Sequence, residues 1–394
     1  MKKILVILLA FIIFISSGIA TFANIAIKSE AELDSEQLSA TFSPSVEVGG
    51  AYLMEAKTGK VLYAHNEFSA ASPASVTKVM TLLLVCEAIE SGRIALTDMV
   101  TVSSHAASMG GSQVFLEEGE RISVEELVKS TVIASGNDSA VALAELCAGS
   151  EAAFVKMMNK RAAELGLKNT AFENTTGLDD TTTNHYTCPA DIAAMSRELI
   201  KHEIILRYSS IWQDTIRNGE FTLTNTNRLV RYYDGCNGLK TGSTDKAGYC
   251  ISATAKRGNM QLIAVIMGAR TRDERNQVAR ELLDFGFANF ALYERGEEFV
   301  EEATLLGGKS PTVMLYSSPF STVVDKGKIG EIELVYDIPE QLTAPVAKDD
   351  EVGGISYRID GRQIGKSVIY PADSVDKITL GDIFLRIMQR ILCG

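Results

Sequence analysis

From Gln261 to Gly268 the chain reads Gln-Leu-Ile-Ala-Val-Ile-Met-Gly, a short run that is apolar at almost every position. Such a run reads as a strand buried on both faces, and the sheet that holds it must be covered on both sides. Arg257-Gly258-Asn259 separates it from a second strand, Tyr249 to Lys256, and a third is expected at Gly238 to Lys240, before a turn at Ser243 to Gly248. Two more strands open the same region, Ala51 to Met54 and Val61 to Tyr63, around a turn at Lys57-Thr58-Gly59. Helices fill the middle. Ser123-Val124-Glu125-Glu126 starts one of them with a capping box, Glu151 to Leu165 is amphipathic, and Pro189 to His202 is helical. A strand is also expected over Phe221 to Val230, and a helix over Arg275 to Phe285. The two ends of this region are therefore expected to pair into one antiparallel sheet with helices on its faces, an α/β (α+β) arrangement.

The flanks differ from this core. Lys2 and Lys3 precede an apolar run, Ile4 to Ile15, and then small residues. That is a secretory signal pattern, short for a membrane span, with cleavage expected after Ala23 or Ala20. The alternative is a retained amino-terminal anchor. Residues 24–43 are polar and acidic and read as a linker. The formal charge of −12 in an exported chain excludes nucleic acid as a partner. Beyond about Arg295, short strands at Val313–Tyr316, Ile332–Tyr336, Ile355–Arg358 and Gln363–Tyr370, with a hairpin signal at Asp360-Gly361, mark a small all-β domain over 293–374. Leu380, Ile383, Phe384, Ile387, Met388 and Ile391 then form one apolar helical stripe opposite Asp382, Arg386, Gln389 and Arg390. Residues 375–394 are expected to lie in a membrane interface or, failing that, on their own domain.

The four histidines are dispersed and no His-Glu-x-x-His occurs, which argues against a zinc hydrolase. The six cysteines match no metal or small disulfide scaffold. Cys86 and Cys147 read as buried thiols, and Cys236 and Cys250 flank one motif closely enough to raise a disulfide as an option.

Chemistry enters at Pro73-Ala74-Ser75-Val76-Thr77-Lys78. On a helix, positions i and i+3 share a face, so the Ser75 hydroxyl and the Lys78 amine meet there. An alcohol needs a base beside it to attack at neutral pH, and a lysine serves only if burial or another cation lowers its pKa. Pro73 suits the helix entry and places Ser75 near a helix N-terminus, where a backbone N–H helps hold an oxyanion. Two further motifs follow in order, Ser135-Gly136-Asn137 between two helices and Lys240-Thr241-Gly242-Ser243 on a strand. The set Ser-x-x-Lys, Ser-x-Asn and Lys-Thr-Gly occurs in penicillin-binding proteins and class A β-lactamases.

With Pro73–Thr81, Ala134–Ser139, Phe172–Asp179 and Gly238–Cys250 all in place, the chain resembles the low-molecular-weight penicillin-binding proteins, the serine-type D-alanyl-D-alanine carboxypeptidases. The resemblance implies a β-lactamase/transpeptidase-like catalytic domain over 44–292, a small β-domain and an anchoring helix. It implies Ser75 as nucleophile, Lys78 as base and Ser135 as proton relay, with Asn137 holding the peptide backbone, Lys240 and Thr241 gripping the terminal carboxylate, and Gly242 and Ser243 also binding substrate. Backbone N–H groups of Ser75 and Ser243 would form the oxyanion hole, and Arg275 would support the carboxylate. The expected partners are peptidoglycan pentapeptide stems, β-lactams as covalent inhibitors, and the membrane surface; no metal or cofactor is called for.

Blander readings exist for single residues: Ser135 as a helix cap, Lys240 as a solvated strand end, Arg275 as a surface arginine, and His185, Asn174 and Asp191 as structural. Two rival functions share the motifs. A class A-like β-lactamase needs a glutamate-positioned water; Glu173 is the candidate, but its segment lacks the class A pattern and the second motif reads Ser-Gly-Asn. A non-catalytic wall-binding protein would keep the pocket, though intact motifs are unexpected in a dead site.

Overall fold

A computed structural model describes residues 41–180 and 182–393. The expected signal and residues 24–40 of the expected linker lie outside the described residues. The five-stranded sheet runs Val61–His65, Gly50–Glu55, Met260–Ala269, Gly248–Arg257, Cys236–Thr244, antiparallel throughout. The two ends of this region thus pair as expected, and the apolar run is the central strand. Its alternate residues serve different layers. Ile263, Val265 and Met267 join the large helical core, while Leu262 faces Gly286 of the helix Arg272–Asn289. Polar side chains would find water on neither face, which is why the strand carries none of the usual alternation.

The helix Lys78–Glu90 is buried at every position from Lys78 to Cys86. It is apolar all round because other helices surround it, so the lysine at its first position is buried with it. The capping box forms as expected: Ser123 Oγ accepts from the Glu126 N–H at 3.2 Å, and Glu126 Oε2 accepts from the Ser123 N–H at 3.3 Å.

Some expectations need correction. Only Phe221–Thr224 of the strand expected to reach Val230 is strand, paired with Gln213–Ile216. Asparagine side chains turn the chain away: Asn225 Oδ1 accepts from the Asn227 N–H at 2.9 Å, and Asn227 Oδ1 from the Leu229 N–H at 3.1 Å. These local bonds replace a ladder and start a helical turn at Leu229–Tyr232. The helix expected to reach His202 ends at Leu199, and a separate helix runs from Glu203 to Ser209. Phe42, expected in the linker, packs on Tyr63 and Phe285 with ring centroids 5.1 and 5.0 Å apart. Cys236 and Cys250 are free. They lie opposite Ala255 and Gly242 in the ladder, so they are spaced along the strands by roughly 15 Å, beyond disulfide reach.

The strand Phe290–Arg295 crosses the expected boundary at 292/293 and pairs with Phe320–Asp325. A six-stranded sheet follows, in the order Glu333–Asp337, Gly353–Ile359, Arg362–Pro371, Thr312–Ser317, Glu298–Leu306, Gln341–Thr343. The last strand joins parallel and the rest antiparallel. Leu315, Tyr357 and Ile369 are at its core, and Phe320 stacks on Tyr357 at 3.9 Å. The Asp360-Gly361 turn has φ of 51° and 74° at its two residues, as a tight two-residue hairpin requires. Bridges from Val346 to Val375 and Gly308 to Lys377 hold residues 375–377 to this domain. The terminal helix itself is Leu380–Cys393. Leu380, Phe384, Ile387 and Ile391 on its stripe are exposed by 86, 63, 53 and 70%. Among the described residues no helix is long and apolar enough to cross a membrane.

Candidate active site

Ser75 lies on the 3₁₀ turn Ala74–Thr77 that leads into the helix Lys78–Glu90. Two non-glycine residues beside the site are held in left-handed backbone, Ala74 at φ 46° and Ser135 at φ 65°. Such conformations cost about 1–3 kcal/mol each and persist only where the surroundings enforce them.

Lys78 is fully buried, and its Nζ has three oxygen neighbours: Ser75 Oγ at 3.0 Å, Asn137 Oδ1 at 2.6 Å and the Thr176 carbonyl at 2.9 Å. An amide oxygen and a carbonyl oxygen only accept. A neutral amine has two N–H groups to give them and one lone pair left for the Ser75 hydroxyl proton. The geometry therefore suits the unprotonated amine. Burial pushes the Lys78 pKa well below its ordinary value, with the Lys240 charge adding to the effect and Asp138 opposing it. Asp138 is itself committed, accepting from the Val114 and Leu116 N–H groups at 2.9 and 3.1 Å.

Lys240 comes from the edge strand Cys236–Thr244 and is 1% exposed. Its Nζ donates to Ser135 Oγ at 2.8 Å and to the Thr241 carbonyl at 2.7 Å. It thus meets Ser135, while Lys78 meets Ser75. Burial, then the Arg275 charge, lowers the Lys240 pKa to about 7. Arg275 is 3% exposed, and its hydrogen-bond partners are neutral, Asn276 Oδ1 and the Cys250 carbonyl. Burial brings its pKa down to about 10. A surface role for Arg275 and a solvated one for Lys240 are both ruled out by this burial. Ser135 is no cap either: the helix Asn137–Ala148 has Gly136 at its N-cap.

Ser75, Ser135, Thr241, Gly242, Ser243 and Arg275 all line one cleft of about 580 Å³. Asn137 lies just beneath. Its amide is occupied on both sides by the protein, since Nδ2 donates to the Gly110 carbonyl at 2.6 Å while Oδ1 accepts from Lys78. It positions Lys78 in this structure, with one N–H and one lone pair of the amide left over. Gly242 is demanded by close approach: a Cβ there would lie 2.7 Å from the Ser75 nitrogen and 2.9 Å from the Pro73 oxygen. The strand that carries Lys240 is thus pressed against the turn that carries Ser75.

Several contributors went unread in the sequence. The Thr176 carbonyl is invisible to any reading of side chains. Trp212, Thr226, Arg228, Tyr232 and Arg272 also line the cleft; Thr226 and Arg228 fall in the segment expected as one long strand, Trp212 and Tyr232 on either side of it, and Arg272 in the first turn of the closing helix. His185 ties the segment at Glu173 to the turn that carries Ser75. Its Nδ1 accepts from the Glu173 N–H at 3.1 Å, so its proton sits on Nε2, which faces Thr77 Oγ1 at 2.8 Å. Burial lowers the His185 pKa to about 4. Among the described residues no Asp or Glu lines the cleft. The Glu173 carboxylate instead accepts from the Thr183 and Asn184 N–H groups at 2.7 and 3.1 Å, so it does not hold a water over Ser75.

Comparison with known proteins agrees with this geometry. Residues 37–271 match the family model for D-alanyl-D-alanine carboxypeptidase, and residues 287–377 match that for the penicillin-binding protein 5 C-terminal domain. The chain is 40% identical to the D-alanyl-D-alanine carboxypeptidase DacF of Bacillus subtilis, over 96% of this chain and 95% of the relative. The structure is similar to penicillin-binding protein 5 from Haemophilus influenzae, with a TM-score of 0.76 and 32% identity over 86% of this chain and 100% of that one. It is also similar to penicillin-binding protein D2 from Listeria monocytogenes in its ampicillin-bound form, with a TM-score of 0.58 and 29% identity over 62% of this chain and 100% of that one.

Proposed function

This chain belongs to the D-alanyl-D-alanine carboxypeptidase family, and we propose on that premise that Ser75, Lys78, Ser135, Lys240 and Arg275 divide the reaction among them. The enzyme is a serine-type peptidase of the low-molecular-weight penicillin-binding class, acting in the cell wall. Lys78 takes the proton of Ser75 as its oxygen attacks the carbonyl of the penultimate D-alanine. The oxyanion is held by the backbone N–H groups of Ser75 and Ser243. Lys240 and Ser135 pass a proton to the departing amine, D-alanine leaves, and a water then cleaves the ester on Ser75. Lys240, Thr241 and Arg275 hold the terminal carboxylate, with Gly242 letting their strand approach.

One observation carries this reading: Lys78 Nζ lies 3.0 Å from Ser75 Oγ with its other two contacts given to acceptors. The buried Arg275, without a carboxylate partner, is a second support, because a buried charge needs a counter-charge and the substrate brings one. The substrates are stems ending in D-Ala-D-Ala, and β-lactams acylate the same serine. With no carboxylate among the described residues lining the cleft to activate water, the penicillin adduct is expected to last for hours, where a β-lactamase would clear it in milliseconds. The test is intact mass after penicillin treatment, followed over time, with release of D-alanine from diacetyl-Lys-D-Ala-D-Ala. A short-lived adduct, or D-alanine release that survives Ser75→Ala, would overturn the reading.

Cell-wall chemistry implies an exported chain, with residues 1–23 as its signal. The exposed apolar stripe of Leu380–Cys393 supports peripheral attachment to the outer face of the cytoplasmic membrane, with the β-domain between membrane and cleft. Removal of residues 380–394 should release the protein from vesicles while leaving D-alanine release intact; retention on vesicles would sink the anchor.

A further inference from the structure

The terminal carboxylate brings one negative charge, and Lys240, Thr241 and Arg275 are enough to meet it. The cleft holds more than that. Arg228 and Arg272 also line it, and both act on Arg275 strongly enough to help lower its pKa. Neither makes an ion pair among the described residues. Arg231 adds a further charge behind the wall, its guanidinium carbon 5.3 Å from the Trp212 ring centre and 5.5 Å from that of Tyr232. These two rings line the same cleft, 6.3 Å apart, so the cation holds them as a stiff wall.

Room matches charge. A cleft of about 580 Å³ is that of a drug-sized ligand, well beyond what a single alanine fills. Two exposed guanidiniums and, among the described residues, no carboxylate line this cleft.

We propose that this end of the cleft takes a C-terminal D-residue whose side chain carries its own carboxylate, so that D-glutamate leaves faster than its uncharged isostere D-glutamine. The side-chain carboxylate sits between Arg228 and Arg272. This rests on the placement of the terminal carboxylate at Lys240, Thr241 and Arg275. The bond broken is the same peptide bond, and the leaving amine takes up its proton as D-alanine does. Only the leaving residue changes, so all such substrates give one acyl-enzyme. Discrimination must then appear in kcat/KM and not in a deacylation-limited kcat.

The experiment compares diacetyl-Lys-D-Ala-D-Glu, -D-Gln and -D-Ala with the full chain, with Arg272→Gln and with the double variant Arg228→Gln/Arg272→Gln. The ratio of kcat/KM for D-Glu over D-Gln is read within each protein, so that folded fraction cancels. We expect a ratio of about ten in the wild type, lower in Arg272→Gln and within twofold of one in the double variant, with kcat the same for both peptides. A wild-type ratio of one or less overturns the proposal, and so does a ratio that survives in the double variant. D-Ala release with no D-Glu preference leaves the carboxypeptidase reading standing alone, whereas no release from any of the three peptides overturns both.

Discussion

The catalytic cleft and the carboxyl-terminal β-domain treat charge in opposite ways. In the cleft Lys78, Lys240 and Arg275 are 0, 1 and 3% exposed, and each bonds only neutral oxygens. In the β-domain Lys309–Asp376, Lys328–Asp360 and Lys366–Glu351 are ion pairs between exposed side chains, over a core of aliphatic and aromatic residues. Water solvates the second set and adds little to its strength. The first set is destabilising by itself, and the rest of the domain must offset it. The difference locates function: reactivity requires a lysine that has lost its proton and cations that lack partners, and the fold tolerates both only where a substrate supplies the missing charge.

The largest effect that sharpens this contrast is at Ser75. Ser75→Ala should cut D-alanine release by about 10³-fold or more and abolish penicillin labelling, with Tm close to wild type; residual labelling at another serine would break it. Next is Lys78→Met. Loss of the base should slow acylation by about 10²–10⁴-fold. Wild-type acylation by penicillin in this variant would contradict the role of the amine as base.

Gly242→Ala should cost about 10²-fold in kcat/KM, because its Cβ would sit 2.7 Å from the Ser75 nitrogen and push the Lys240 strand off the nucleophile turn. Wild-type acylation by penicillin in this variant would show that the close approach is dispensable.

The pH dependence follows from direction. The folded-state pKa of Lys240 is about 7 against an ordinary 10.5. Between those values the unfolded chain binds more protons, so this residue makes stability rise with pH across that window. Its contribution is a few kcal/mol at most, and Lys240→Met should flatten the rise. The opposite flank belongs to His185, whose folded pKa of about 4 lies below 6.5. Its stabilising effect is present above 6.5 and is lost as pH falls toward 4, by about 3 kcal/mol. Chemical denaturation at pH 5, 7 and 9 checks both signs. The smallest effect is expected in the other region: Lys366→Ala should change stability by less than about 1 kcal/mol and leave D-alanine release unchanged.

Much of this was legible in the residues, for local reasons. The apolar run at 261–268, the capping box at Ser123 and the Asp360-Gly361 turn each specify backbone within a few residues, and each forms. The long strand expected over 221–230 does not, because Asn225 and Asn227 bond their own neighbours and bend the chain. Strands such as Glu298–Leu306 went unread because their register slips between Phe299 and Glu301, which breaks the alternation a reader relies on.

Sequence by itself determined which chemistry the chain could attempt: a serine one helical turn from a lysine, and two motifs able to bring a relay and a second cation. Only the tertiary structure decided which lysine meets which serine, and that the carbonyl of Thr176 and the amide of Asn137 leave Lys78 a lone pair for Ser75. The reason is physical. Motifs name side chains, whereas proton affinity depends on how much water is excluded and which backbone atoms face the amine, and those come from segments far apart along the chain.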